Sequence, residues 1–246
     1  MNQELHPRGL WTLDDLSTAD AQTLLTTARA LKQAQGRGLP LKGKHVAVLG
    51  DSHPGGETDV FTEAARGLGA QVTRILPKTL RLAAMGDRRD AARVLGRLYD
   101  AIECDGMGRA FMLELKGAAA IPVSNVLMPD RHPTRMLADL MTLQEISAGP
   151  IDALTLRVAA EEGAPWSVAW RQIAAVTGIV VVTETSRNPA SHPTGFLCDP
   201  LGALCADGQP ALLVIDRDDR PGTSLACQQV INHRYVVQAL LVQSVE

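Results

Sequence analysis

Apolar positions along this chain recur in two periods, and their alternation lays out most of a fold. In "LSTADAQTLLTTARALKQAQGRG", Leu24, Leu25, Ala28 and Leu31 recur at helical spacing. Ser17 sits ahead of them as an N-cap with Asp20 three positions on, and Gly36 and Gly38 close the segment. "KHVAVLG" is a short apolar run of strand type, "TEAARGLGA" a helix and "QVTRILP" a second strand, which together predict a βαβ unit. The pattern repeats: "DRRDAARVLGRLY" is an amphipathic helix, "DAIECD" a strand, "RAFMLELKGAA" a helix and "IPVSNV" a strand. Such alternation predicts a parallel sheet covered by helices.

"DRHPTRMLADLMTLQEISAG" reads as a long helix, with Pro133 in its first turn and Gly149 near its end. Gly149-Pro150 marks a hinge or domain boundary. Beyond it "DALTLRVAA" (strand), "WSVAWRQIAAVTG" (helix) and "IVVVTE" (strand) start a second α/β unit. "TSRNPASHPTG" is a loop by composition, "GALCADGQPALLVID" a hairpin turning at Asp207-Gly208, "RDDRPG" a solvated polar loop, and "LACQQVINHRYVVQALLVQ" a closing amphipathic helix.

Composition narrows the class. With 246 residues, 46% hydrophobic and 21% charged, the chain has material for one large domain or two small ones with real cores. A net charge of −3, with acids and bases interspersed, predicts no nucleic-acid partner. No apolar run approaches the roughly 20 residues of a membrane span, and "MNQELHPRGLW" lacks the regions of a secretory signal, so no membrane and a cytoplasmic location are expected. Cys104, Cys198, Cys205 and Cys227 form no CxxC pair and read as core filling. Four of six histidines precede proline (His6, His53, His132 and His192), and none stands four residues from another, so metal-site spacing is missing.

The stretch "GDSHPGGETD" joins a strand to a helix, where adjacent glycines can present backbone amides to an anion. Against that phosphate-cradle reading stand Glu57 and Asp59, placed where an anion would meet the helix start; the plainer reading is a tight loop whose acids face the helix dipole. A divalent-ion site from Asp51, His53, Glu57 and Asp59 is a third reading. Trp166 and Trp170, four apart on a helix, read as core or subunit contact.

Several phrases together resemble the aspartate/ornithine carbamoyltransferase family: "LWTLDDLSTADAQTLL", "LKGKHVAVL", "DAARVLGRLYDAI", the helix "HPTRMLADLMTLQE" and the terminal "QQVINHRYVVQALL". The resemblance covers most of residues 10–146, residues 150–184 more weakly, and 224–243. It implies an α/β, carbamoyltransferase-like fold of two domains with parallel sheets flanked by helices. The expected division is a carbamoyl-phosphate-binding-like domain at 1–148, joined by the helix 224–244 packing back on it, and a reduced acceptor-binding-like domain at 149–223. It also implies a catalytic homotrimer and no cofactor.

Checked position by position, the resemblance fails where charge matters. The family's Ser-Thr-Arg-Thr-Arg loop falls on Gly55, Gly56, Glu57, Thr58 and Asp59, and no arginine lies between Gly50 and Ala65. A further family arginine falls on Asp105; the helix-start motif keeps His132, Pro133 and Thr134 but has Arg135 in place of glutamine. At an effective dielectric near 20, one unit pair at 4 Å is worth about 4 kcal/mol, so repeated sign reversals exceed the roughly 5 kcal/mol of a modest ligand affinity. The family's acceptor-side passage is replaced by about 40 residues, Ser186 to Thr223, and His192 inherits no role from it.

The ligand-binding candidates are therefore Ser52, Gly55, Gly56, Glu57, Thr58, Asp59, Asp105 and Thr134. His132 and Arg135 are either a vestigial catalytic pair or capping and packing residues. The expectation is a pseudoenzyme without transcarbamylase activity that binds, scaffolds or regulates, as a homo-oligomer (a homotrimer) or with another protein. The alternatives are an enzyme whose acidic loop receives a cationic or metal-bound substrate, and an active ornithine or aspartate carbamoyltransferase with a rebuilt site.

Overall fold

The structure, a computed structural model, describes residues 10–35, 37–50, 59–76, 85–126, 132–147, 155–159, 165–184, 196–199, 213–215 and 224–245. Its contacts group the chain into two units. One comprises Met1–Thr12, Leu24–His132 and Arg234–Glu246; the other comprises Leu13–Thr23 and Pro133–His233. Residues 148–154, around the expected hinge, lie outside the described residues.

The first unit is built on four parallel strands: β1 (His45–Leu49), β2 (Gln71–Ile75), β3 (Ala101–Cys104) and β4 (Val123–Ser124), in the order β2-β1-β3-β4. Helix α1 (Thr18–Gln33) precedes them, α2 (Asp59–Gly67) joins β1 to β2, α3 (Met85–Leu98) joins β2 to β3, and α4 (Arg109–Ala119) joins β3 to β4. The chain steps from β1 to β2 on one side and then passes to β3 on the other side of β1. The winding direction therefore reverses between β1 and β3, and at such a reversal a crevice opens outside the carboxyl ends of the strands.

Alternate strand residues have different duties. Ala47, Leu49, Ile102, Cys104 and Val123 belong to one apolar cluster with Ala92 and Leu95 of α3 and Met112, Leu115 and Ala119 of α4. The two helices approach so closely that a Cβ on Gly96 would lie 1.9 Å from the Ala119 carbonyl oxygen, so glycine is required there. Trp11 closes this cluster and donates its indole N–H to the Val123 carbonyl. On the intervening positions, register aligns Arg74, Val48, Glu103 and Ser124 as one cross-strand row, which puts charge on the sheet's other face.

The second unit holds a mixed sheet in the order β6-β5-β7-β8: β5 (Thr155–Ala159), β6 (Val180–Glu184), β7 (Phe196–Asp199) and β8 (Leu213–Ile215). Only β5 and β6 run parallel, joined by α6 (Pro165–Thr177); β7 and β8 add antiparallel partners. The antiparallel return expected of "GALCADGQPALLVID" is present as β8, but its partner is the earlier segment Phe196–Asp199. The turn expected at Asp207-Gly208 and the "RDDR" loop lie outside the described residues. Trp170 is fully buried in α6, as a core residue should be.

Helix starts follow the local signals. Ser17 and Asp20 exchange bonds, Ser17 N–H to Asp20 Oδ2 and Asp20 N–H to Ser17 Oγ, both 3.1 Å, closing the capping box ahead of α1. Helix α5 (Pro133–Ser147) begins at its proline, which has no N–H to leave unsatisfied. Helix α7 (Ser224–Val245) contributes its first ten residues to the second unit and the remainder to the first. In the first unit Gln238 donates to the Ala64 carbonyl at 3.2 Å, and Gly67 clears the way: a Cβ there would lie 2.7 Å from Gln238 Nε2.

Candidate functional site

The crevice position is set by two backbone ends. Gly50 follows β1 and Asp105 follows β3, on either side of the winding reversal. Asp105 N–H donates to the Leu49 carbonyl at 2.9 Å, and Gly50 N–H donates to Ile75 at 3.2 Å, so three strand ends are tied together. A Cβ on Gly50 would lie 2.6 Å from both the Cβ and the backbone oxygen of Asp105; any side chain there would push the two strands apart.

Asp105 is 5% exposed, and its Oδ2 faces Arg74 Nη1 at 3.8 Å. That separation is an ion pair without a hydrogen bond, and Oδ2 is without a hydrogen-bond partner. Arg74 reaches the site from β2 with its side chain 24% exposed. One strand further on, Glu103 is wholly buried and accepts from Ser124 Oγ at 2.5 Å. Burial, then the adjacent Glu103 carboxylate, pushes the Cys104 thiol far above its ordinary range, so it stays protonated and inert. Asn125, directly after β4, is 9% exposed with Oδ1 unbonded.

The sequence candidates separate. Asp105 and Gly50 meet at the crevice. Ser52, Gly55, Gly56, Glu57 and Thr58 lie outside the described residues, as do Asp51 and His53; Asp59 is the first residue of α2, with its side chain undescribed. Among the described residues no group of His, Cys, Asp and Glu is arranged to hold a metal ion. His132, buried in the first unit, donates Nε2–H to the Leu10 carbonyl at 3.0 Å. In the second unit Thr134 Oγ1 bonds His233 Nε2 at 3.1 Å, and Arg135 is half-buried and has a polar partner. These bonds are of the capping and packing kind.

Sequence reasoning passed over Arg74, Glu103 and Asn125. Their signal was present: a charged residue inside the apolar strand "AIEC", an arginine near the end of "QVTRILP", and an amide just past "IPVS", each at or near a strand's carboxyl end.

A separate cleft of about 220 Å³ lies at the carboxyl end of α2, lined by Leu31, Arg37, Glu63, Leu68, Arg234 and Tyr235. Since α2 returns from the carboxyl end of β1, this cleft belongs to the sheet's opposite edge. Its Glu63–Arg234 pair, at 4.0 Å, is exposed to solvent and contributes little.

Residues 8–145 match the family model described as aspartate/ornithine carbamoyltransferase, carbamoyl-P binding domain. The chain belongs to this family. A catabolic ornithine carbamoyltransferase of Pseudomonas putida is 37% identical over 150 residues, 60% of this chain and 45% of that protein. One from Burkholderia mallei is 38% identical over 154 residues, 61% and 46% of the two chains. The matched region thus spans about half the length of these curated relatives. Among solved structures, ornithine carbamoyltransferase from Gloeobacter violaceus aligns over 98% of this chain and 99% of its own, with a TM-score of 0.67 and 24% identity. That from Pyrococcus furiosus aligns over 99% of both chains, with a TM-score of 0.71 and 21% identity. The carbamoyltransferase fold, α/β with a parallel sheet flanked by helices, is therefore the fold of this chain. Among the described residues, no helix is long and apolar enough to cross a membrane.

Proposed function

We propose that this carbamoyltransferase-family chain has given up transcarbamylation and acts as a binding, scaffolding or regulatory protein. One observation carries the reading: at the winding reversal of the first sheet stands the buried carboxylate of Asp105, where the family resemblance calls for an arginine. A site that moves a carbamoyl group from phosphate must neutralise a small dianion and polarise a carbonyl, which takes guanidinium groups and helix-terminal amides. Here the one described arginine paired with Asp105, Arg74, is turned toward that carboxylate. A phosphate dianion beside Asp105 would be repelled at the point of closest approach.

His132 supports the same reading. Its Nε2–H, the group that would polarise a substrate carbonyl, is bonded to the backbone carbonyl of Leu10. On this reading residues 1–148 with 224–244 form the carbamoyl-phosphate-binding-like domain, residues 149–223 the acceptor-like domain, and the chain works in the cytoplasm as a homotrimer or with a protein partner. The retained candidates are Ser52, Gly55, Gly56, Glu57, Thr58, Asp59, Asp105 and Thr134, with His132 and Arg135 vestigial.

The test is direct. The purified chain is incubated with carbamoyl phosphate and either ornithine or aspartate, and citrulline and carbamoyl-aspartate are measured. No turnover above background is expected, and calorimetric titration with carbamoyl phosphate should give no saturable heat. Turnover near that of an ordinary family member overturns the reading.

A further inference from the structure

The cleft at the carboxyl ends of α1 and α2 lies wholly within the first unit, and it offers two guanidinium groups that the fold leaves without a hydrogen bond. Its lining combines apolar Leu31 and the buried Leu68 with Arg37, Arg234 and Tyr235. Arginines beside helix ends often bond the last carbonyls. Here backbone amides meet that need: Ala70 N–H donates to the Ala65 carbonyl at 3.1 Å and Gly69 N–H to Arg66 at 2.9 Å after α2, and the backbone N–H of Arg37 donates to Ala34 at 2.9 Å after α1. Among the described residues neither guanidinium donates a hydrogen bond. Arg37 is exposed, and Arg234 has only the Glu63 carboxylate at 4.0 Å and the Tyr235 ring at 5.4 Å. Gln35, just past α1, adopts φ 50, a left-handed conformation that glycine takes more readily, and so brings a polar side chain to the lining at the cost of backbone strain.

We infer that this cleft binds a small organic carboxylate with a compact apolar body, its carboxylate held by Arg37 and Arg234 and its body against Leu31, Leu68 and the Tyr235 ring. The site stands apart from the crevice of Gly50 and Asp105, and the inference holds whether or not that crevice transfers carbamoyl groups. Charge selects the class first. Two guanidiniums against the one carboxylate of Glu63 leave a surplus of one positive charge, which a monocarboxylate neutralises and a phosphate dianion overshoots. Shape agrees, because the planar fork of a guanidinium meets both oxygens of a carboxylate. Size sets the body: a cavity of about 150 Å³ takes a benzene ring, so 220 Å³ admits a ring or a branched chain bearing one ionised group. Glu63, with its side chain 60% exposed, turns to water when a better-placed carboxylate meets Arg234.

Calorimetric titration of the full chain with benzoate and isovalerate at fixed ionic strength tests this, with acetate, benzamide and inorganic phosphate as comparisons. Saturable binding is expected for benzoate or isovalerate. It should be at least several-fold tighter than that of acetate, which lacks the apolar body, and of benzamide, which lacks the charge. Arg37→Gln and Arg234→Gln should each weaken binding at least fivefold, and Glu63→Gln should tighten it by removing the internal competitor. All three variants should unfold at the unsubstituted chain's urea midpoint, since none of these side chains is buried. No saturable binding of either carboxylate, equal binding of benzamide, tighter binding of phosphate, binding indifferent to both arginine variants, or weaker binding in Glu63→Gln overturns the proposal.

Discussion

Along α5 and the first half of α7, polar side chains bond to one another; at the carboxyl edge of the first sheet Glu103 and Ser124 do the same, but Asp105 Oδ2 and Asn125 Oδ1 do not. In the second unit Thr134 bonds His233, Gln229 donates to Asp139 at 3.1 Å, and Asn232, fully buried, donates to Thr142 Oγ1 at 2.9 Å and Glu145 Oε2 at 3.0 Å. Gln228 adds a further bond to Glu145. This seam fixes which face of one helix meets which face of the other, because a slip would strand the buried Thr134, Asp139, Thr142, Asn232 and His233 without water or partner. In the first unit Asp105 and Asn125 carry bare acceptor oxygens beside a loose ion pair. The same residue types thus do different work: polar groups that complete each other hold the fold, whereas Asp105 Oδ2 and Asn125 Oδ1 add no hydrogen bond to it.

The contrast can be broken by measurement. Asn232→Ala removes a buried amide that donates to the buried Thr142 and to the exposed Glu145, and should cost about 2–3 kcal/mol in urea denaturation, the largest of these effects. Thr134→Val, which deletes one neutral bond, should cost about 1 kcal/mol. Asp105→Asn keeps the side-chain shape and removes a charge whose Oδ2 accepts no hydrogen bond, so stability should move by less than about 1 kcal/mol in either direction. If Asp105→Asn destabilises more than Asn232→Ala, the distinction between the two regions is lost.

The smallest effect belongs to Cys104. Its thiol is raised in the folded state above the ordinary value of 9.0 by burial and by Glu103. The unfolded chain therefore ionises first. The contribution to stability is complete below that ordinary value and falls away as pH climbs past it. Alkylation at pH 8 followed by peptide mapping should leave Cys104 unmodified in the native chain and modified after unfolding. Labelling of the native chain at the unfolded rate would place the thiol outside the core.

How much of this was legible differs by level. The periodicity of "DAARVLGRL" and "RAFMLEL" marked α3 and α4, and the pair Ser17 and Asp20 marked the start of α1, because those signals are local and the bonds they predict span three residues. The first sheet's parallel character followed from the alternation alone. The pairing of β7 with β5 did not, since nothing in "FLCD" says that it adds an antiparallel partner beside the parallel pair β5 and β6. At the site, the lack of any arginine between Gly50 and Ala65 and the acid at Asp105 were readable in the sequence. That Arg74 turns to that acid was not, because the two residues are far apart in the chain and meet only through the order β2-β1-β3.

The sequence by itself determined which segments form helices and strands, their likeness to the carbamoyltransferases, and the acidic character of the stretch that follows β1. Those properties reside in residue identity and short-range spacing. Only the tertiary structure decided which buried polar groups would find partners. Hydrogen bonding depends on distance and direction between side chains remote in sequence, and these are fixed when the sheet orders its strands and the helices close upon them. His132 bonded to Leu10, Thr134 to His233, and Asp105 to no hydrogen-bond donor at its Oδ2 are outcomes of that closure.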